Sequence, residues 1–96
     1  MEKVILVTGA NKGIGFEIVN QLSKKGHKVI LTSRDRKRGT QAVNRLAEEG
    51  LNVHFQQMDV TNIEQVEATA KEVKTLFGKV DVLINNAGIM AKGDIS

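Results

Sequence analysis

Residues 4–15 read Val4-Ile5-Leu6-Val7-Thr8-Gly9-Ala10-Asn11-Lys12-Gly13-Ile14-Gly15. Four consecutive β-favouring apolar residues run directly into three glycines at fixed offsets. The amphipathic run from Phe16 to Lys25 that follows is typical of a helix. The pattern therefore predicts a strand, a tight turn and the start of a helix, in that order.

Such a turn is suited to holding a phosphate group. Its backbone N–H groups and the positive end of the helix macrodipole point at one place. We expect Gly9 to let the chain leave the strand sharply, Gly13 to let a ligand approach the backbone, and Gly15 to let helix and strand pack closely. The spacing G-x-x-x-G-x-G differs from both G-x-G-x-x-G and the Walker P-loop. A glycine-rich turn without a ligand is the alternative.

Length and composition indicate one small domain over residues 1–96. Hydrophobic residues make up 41% of the 96 residues and charged residues 26%, which is the globular range. The chain has no cysteine, so disulfides and thiolate metal sites are excluded. It has no signal-peptide pattern and no apolar run long enough to span a membrane, which predicts a cytoplasmic protein. No metal site is expected.

The net charge of +3 is unevenly distributed. Residues 1–45 carry ten Lys or Arg against three Asp or Glu, whereas residues 46–96 carry four against eight. The first half therefore suits an anionic partner. Aromatic residues make up only 3%, all of them Phe, so the stacking surfaces that single-stranded nucleic acids require are nearly absent. A phosphorylated dinucleotide fits better than a nucleic acid.

Four short apolar runs recur along the chain and alternate with helical patterns, which predicts βαβ units around a parallel sheet. The runs are Val4–Val7, Val29–Leu31, Val53–Phe55 and Val82–Ile84. We predict helices from near Gly13 to Gly26, from about Arg38 to Glu49, and up to Phe77 with Thr61 as N-cap. The side chains expected to face inward are those of Ile14, Ile18, Val19, Leu22, Ala42, Val43, Leu46, Ala47, Ile63, Val66, Ala70, Val73 and Phe77.

The end of the second strand bears on the choice of dinucleotide. In a doubly wound nucleotide fold this position meets the adenosine ribose, and an acidic residue there accepts from the 2′-hydroxyl. Here the strand ends in neutral Ser33 and cationic Arg34. Arg34 and Lys12 could hold a 2′-phosphate, which favours NADP(H). If Asp35 faces the ribose instead, the preference weakens or reverses; Arg36, Lys37 and Arg38 are expected to be solvated.

Two later strand ends carry further candidate groups. The carboxylate of Asp59 could accept from the adenine amino group while Val60 packs on the ring, or Asp59 could cap the following turn. Asn85-Asn86-Ala87-Gly88 ends the fourth strand, where amides and a glycine allow a ribose to approach closely. An ordinary Asn-Gly type of turn is the alternative there.

Together these motifs resemble the short-chain dehydrogenases/reductases. Residues 8–15 resemble the family's T-G-x-x-x-G-x-G turn and residues 85–88 its N-N-A-G element, while Asp59-Val60 stands where the family binds adenine. The N-K-G-I-G turn and the T-x-R-D strand end are most similar to those of NADPH-dependent carbonyl reductases, in which the residues matching Lys12 and Arg34 hold the 2′-phosphate. The resemblance implies cofactor binding by Gly9, Asn11, Lys12, Gly13, Ile14, Gly15, Arg34, Asp59, Val60, Asn86, Ala87 and Gly88.

The resemblance also implies a Rossmann-type α/β fold with strand order 3-2-1-4, in an enzyme that moves a hydride between NADPH and a carbonyl or alcohol. The family's acid–base groups are a Ser and a Y-x-x-x-K pair downstream of N-N-A-G, and this chain has no tyrosine. We therefore expect the cofactor-binding front portion of a reductase, truncated after the fourth strand and inactive alone. A small carbonyl substrate is expected only for a full-length form.

Two further expectations concern partners. A non-catalytic NADP(H)-binding sensor or interaction module is the alternative function. In the family a fifth strand lies beside the fourth, so Val82-Leu83-Ile84 is expected to form an apolar edge with unpaired backbone groups. That edge predicts self-association or marginal stability of the isolated chain.

Overall fold

The computed structural model describes residues 1–86, which form one four-stranded sheet with helices on both faces. All strands are parallel and their order is β3-β2-β1-β4, which confirms the predicted Rossmann-type topology. The elements are β1 (Val4–Val7), α1 (Gly13–Lys24), β2 (Lys28–Ser33), α2 (Arg36–Glu48), β3 (His54–Gln57), α3 (Ile63–Phe77) and β4 (Val82–Ile84).

Each face of the sheet has its own core. On one face Ile5 and Val7 of β1 pack with residues of α1 and α2, and on the other Val4 and Leu6 pack with Val73 of α3. All four residues of β1 are buried. A strand covered on both faces has no solvent side, which explains why its sequence is continuously apolar rather than alternating.

Four side chains expected in the core are exposed instead. Ile14 is 75% exposed and Ile63 is 66% exposed, and each lies in the first turn of its helix. These turns begin beyond the carboxyl ends of the strands, where there is no sheet to pack against. Ala47 and Ala70 are also exposed, so the buried stripe on each of these helices is narrower than predicted.

Several element boundaries differ from the prediction. The N-cap of α3 is Asn62, whose side chain accepts from the N–H of Gln65, so the prediction of Thr61 was wrong. Helix α2 begins two residues early because Asp35 caps it. Strand β3 starts one residue later than its apolar run and extends to Gln57, whereas β4 coincides with its apolar run at Val82–Ile84. No helix within residues 1–86 is both long and apolar enough to cross a bilayer.

Candidate cofactor-binding site

A cleft of about 600 Å³ lies at the carboxyl ends of β1, β2 and β3. This volume is typical of small-molecule and cofactor pockets. Carboxyl ends of parallel strands meet at one edge of the sheet, so residues far apart in sequence converge there. The lining comprises Gly9, Asn11, Lys12, Ser33, Arg34, Asp35, Arg38, Met58, Asp59, Val60 and Thr61.

Six of the candidate site residues thus share the cleft: Gly9, Asn11, Lys12, Arg34, Asp59 and Val60. Within the described residues 1–86, the cleft lining does not include Gly13, Ile14, Gly15 or Asn86. Ala87 and Gly88 lie outside the described residues. The same part of the chain contains no group of three His, Asp or Glu side chains placed to hold a metal ion.

The glycine-rich turn has the backbone shape that a phosphate-binding loop needs. Gly9 and Gly13 adopt φ values of +58° and +64°, a region that side chains with a β-carbon rarely occupy. Lys12 is the N-cap of α1 and its side chain makes no capping hydrogen bond. The first N–H groups of α1 are therefore not taken by a side-chain cap, and they can serve an anionic ligand.

Gly15 has the close contact that the sequence predicts for it. A β-carbon built there would lie 2.9 Å from Cα of Ala10 and 3.0 Å from the carbonyl oxygen of Gly9. Both contacts are to backbone, which cannot move aside cheaply. The absence of a side chain at residue 15 is what lets α1 start against the turn that follows β1.

Hydrogen bonds join this turn to the end of β2. The N–H of Ala10 donates to the carbonyl of Thr32 at 3.0 Å, and the Ser33 hydroxyl donates to Asn11 Oδ1 at 3.1 Å. The Thr32 hydroxyl is buried and donates to the carbonyl of Val7 at 3.2 Å. These bonds hold the glycine turn and the end of β2 together as the two walls of the cleft.

Arg34 and Asp35, which follow β2, are held in place by different contacts. Asp35 Oδ1 accepts from the N–H of Arg38 at 3.0 Å, and Oδ2 lies 3.8 Å from Arg38 Nε. The Asp35 carboxylate therefore caps α2. Arg34 is exposed and held through its carbonyl, which accepts from Gln57 Nε2 at 3.1 Å. Among residues 1–86 the Arg34 guanidinium forms no ion pair.

Asp59 faces Arg34 across the cleft. Its Oδ1 accepts from the hydroxyl and the N–H of Thr61 at 2.7 and 2.9 Å. These two bonds lower the pKa of Asp59, partial burial opposes them, and the positive charge of Arg34 lowers it further. Asp59 thus caps the turn, which was one of its two expected roles, while it also lines the cleft.

The Asn85-Asn86 pair supports the turn rather than the cleft. Asn86 Nδ2 donates to the carbonyl of Gly9 at 3.0 Å, and the Thr8 hydroxyl contacts Asn85 Oδ1 at 3.1 Å. The end of β4 is therefore tied to the end of β1. Asn86 and Gly9 are 77 positions apart, so no local sequence pattern predicts the hydrogen bond between them.

Residues 36–38 are exposed, as expected, but two of them also make specific contacts. Arg38 lines the cleft, and the guanidinium of Arg36 lies 5.9 Å from the centre of the Phe55 ring. The position of Arg38 three residues after Asp35 is the signal that could have found it, because a helix N-cap directs residue N3 back toward the preceding strand end.

Comparison with known proteins places the chain in a family. A sequence model of the short chain dehydrogenase family matches residues 3–96. The chain therefore belongs to the short-chain dehydrogenase/reductase family, as the motifs indicated.

Individual relatives are reductases. A (-)-isopiperitenone reductase of Mentha piperita is 51% identical over 104 aligned positions, which cover 100% of this chain and 33% of that protein. Carbonyl reductase (NADPH) 3 of Rattus norvegicus is 45% identical, with 96% of this chain and 34% of that protein covered. A solved menthone neomenthol reductase of Mentha piperita superposes with a TM-score of 0.86 at 50% identity, covering 92% of this chain and 32% of that one. The chain spans about a third of the length of these relatives.

Proposed function

We propose that this chain binds NADP(H) and forms the cofactor-binding part of an enzyme that reduces a carbonyl group. One observation carries the proposal: Lys12 and Arg34 line the same cleft as the glycine turn, while the Asp35 carboxylate is engaged at the start of α2. A 2′-phosphate is a dianion near neutral pH, so it is favoured by two cations that form no ion pair within residues 1–86. The contacts of Asp35 with Arg38 direct its carboxylate toward α2 and leave the ribose position without an acidic partner.

Each part of the cleft suits one part of the dinucleotide. The turn from Gly9 to Gly15 would hold the pyrophosphate at the start of α1. The 2′-phosphate would lie between Lys12 and Arg34, and the adenine beside Asp59 and Val60, where the second carboxylate oxygen remains to accept from the amino group. Asn86, Ala87 and Gly88 would flank the nicotinamide ribose.

When bound, a reduced nicotinamide supplies the hydride that adds to the carbonyl carbon, and the carbonyl oxygen then needs a proton. In the family that the motifs resemble, a tyrosine gives this proton. The 96 residues contain no tyrosine. We therefore assign to this chain the binding and orientation of the cofactor, and we expect it to show no carbonyl reduction alone. A small carbonyl compound is the proposed substrate of a full-length form.

The test is a calorimetric titration of the 96-residue chain with NADPH and NADH. We expect NADPH to bind at least about tenfold more tightly, because charge-assisted bonds to phosphate contribute about 1.5 to 3 kcal/mol. Arg34→Asp should abolish or reverse this preference. Lys37→Asp is the matched control: it makes the same charge change three residues away, at an exposed residue outside the cleft lining.

Two results would contradict the proposal. One is a wild-type chain that binds neither nucleotide or binds both equally well. The other is an Arg34→Asp variant whose preference for NADPH equals that of Lys37→Asp, because the selectivity would then come from the general positive charge of the region rather than from the cleft.

A further inference from the structure

Gly39 in α2 and Phe55 in β3 touch so closely that no side chain fits between them. Gly39 is buried, and a β-carbon built on it would overlap Cε1 of the Phe55 ring and lie 2.6 Å from Cζ and 2.7 Å from Cδ1. Real β-carbons essentially never approach other atoms this closely. With the Phe55 ring in its present position, helix α2 can lie at this distance from β3 only because residue 39 has no side chain. A glycine inside a helix costs about 1 kcal/mol of stability relative to alanine. The close approach of α2 to β3 therefore lowers the intrinsic stability of the helix.

The Phe55 ring is confined from several sides. Phe55 pairs with Leu31 in the sheet register and packs against the core between the sheet and helices α1 and α2. The guanidinium of Arg36 lies over the ring, 5.9 Å from its centre. With the ring held between the core and Arg36, an added methyl group at residue 39 would displace the first turn of α2 rather than the ring.

That first turn carries the charged groups of the cleft. The N–H of Gly39 donates to the carbonyl of Asp35 at 2.9 Å, and Arg38 donates to the Asp35 side chain. Arg34, Asp35 and Arg38 all line the cleft, whereas Gly39 and Phe55 do not. A displacement of the turn would therefore move the cationic wall of the cleft relative to Lys12 on the opposite wall.

We infer that Gly39 and Phe55 act as a pair of positioning residues that set the place of the α2 first turn and so determine the selectivity for a 2′-phosphorylated adenosine. The inference rests on the proposed binding of NADP(H). Arginine–phosphate bonds depend strongly on geometry, so a shift of about 1 Å weakens them. In the proposed binding mode, the 5′-phosphate and the adenine contact the glycine turn and Asp59-Val60, and these residues do not belong to α2.

The experiment compares two probes, adenosine 2′,5′-bisphosphate and 5′-AMP, by calorimetry on the 96-residue chain. For Gly39→Ala we expect the affinity for the bisphosphate to fall about tenfold and that for 5′-AMP to change by less than about twofold. Adding Phe55→Leu removes the ring that the new methyl group strikes. The double variant should recover most of the lost selectivity, which a simple loss of stability would not do.

Leu46→Ala serves as the control for general destabilisation, because Leu46 is fully buried on the same helix but far along it from the cleft. It should lower the melting temperature and leave the ratio of the two affinities unchanged. Should Gly39→Ala fail to fold, Phe55→Leu alone decides, because removal of the ring leaves the turn unsupported and should lower the ratio about threefold.

The outcomes separate the two proposals. A wild-type chain with no preference for the bisphosphate contradicts the proposed function. A wild-type preference that is unchanged by Gly39→Ala, or that falls without recovery in the double variant, overturns the positioning role and leaves the proposed function standing. With Phe55→Leu as the deciding variant, an unchanged ratio overturns the positioning role.

Discussion

The side-chain amide of Asn86 occupies the space that a β-carbon on Gly15 would need. Asn86 Nδ2 lies 2.7 Å from that position and donates to the carbonyl of Gly9 at 3.0 Å. Asn86 follows β4, whereas Gly15 lies in the first turn of α1. The N-N-A-G element and the glycine-rich turn are therefore one packed unit, in which the small size of one residue accommodates the other.

We expect Gly15→Ala to destabilise the chain by about 1 to 3 kcal/mol, the usual cost of overpacking. It should also weaken the binding of both NADPH and NADH, because it distorts the turn that is proposed to hold the pyrophosphate common to the two nucleotides. Urea unfolding and calorimetry measure the two effects. Removing the Asn86 side chain as well should restore little stability, since the clashes with Ala10 and Gly9 remain. Full recovery in Gly15→Ala/Asn86→Ala would contradict this packing argument.

Asp35 can be tested by two substitutions that separate its cap from its charge. Asp35→Ala should lower the free energy of unfolding by about 0.5 to 2 kcal/mol, because the N–H of Arg38 loses its acceptor. Asp35→Asn keeps an equivalent cap and should leave stability nearly unchanged. Both variants should bind adenosine 2′,5′-bisphosphate about two- to fivefold more tightly, since a negative charge leaves the cleft. Unchanged affinity in both would mean that Asp35 does not influence the 2′-phosphate.

The carboxylate of Asp81 makes stability depend on pH. Its Oδ2 accepts from the N–H of Val4 at 2.8 Å, which lowers its pKa; partial desolvation opposes this shift, and Lys79 at 3.4 Å adds to the lowering. A lowered pKa in the folded state means that the carboxylate stabilises the fold above its ordinary value of 3.8, and that this contribution is lost as the pH falls through the lower folded pKa.

Asp81→Asn should therefore destabilise the chain at neutral pH, and its difference from wild type should shrink well below pH 3.8. Urea unfolding at both pH values is the measurement. Glu67→Gln is the control, because within residues 1–86 the Glu67 carboxylate forms no ion pair or hydrogen bond like that of Asp81. A loss of stability in Asp81→Asn that stays constant across the pH range would contradict the electrostatic explanation.

We expect copies of the chain to associate through the exposed edge of β4. In the described residues β4 pairs only with β1, and Leu83 on it is 62% exposed. An apolar edge strand with free backbone groups is a template for pairing with another strand. Sedimentation should show a mass that rises with concentration, and Leu83→Lys should reduce it. Ile63→Lys, at an equally exposed site on α3, should not. A monomer at all concentrations would refute this expectation.

Much of the fold follows from local patterns. The run from Val4 to Val7 is apolar at every position because both of its faces are covered, and the glycines after it permit positive φ values. The start of α1 and the stop of α3 at Gly78 follow from the same kind of local chemistry. Such features depend on residues close together in the chain, so a single sequence contains them.

Other features depend on which elements meet in space. The exposure of Ile14 and Ile63 depends on where the sheet ends relative to each helix, and helical periodicity carries no information about that. The choice between Asn62 and Thr61 as N-cap was decided by Asp59, which engages the Thr61 hydroxyl. The hydrogen bond from Asn86 to the carbonyl of Gly9 depends on β4 lying beside β1, and the two residues are 77 positions apart.

The sequence alone predicts the βαβ alternation and the candidate groups for a dinucleotide, because periodicity and glycine placement are local properties. The strand order follows from the family resemblance of the motifs. Folding decided how those groups are used. Asp35 caps a helix, Asn86 packs against Gly15, and Arg34 lies opposite Asp59 without an ion pair to any of residues 1–86. The physical reason is that hydrogen bonds and steric contacts form between atoms within a few ångströms, and only the packed sheet brings residues 9, 34, 59 and 86 to the same edge.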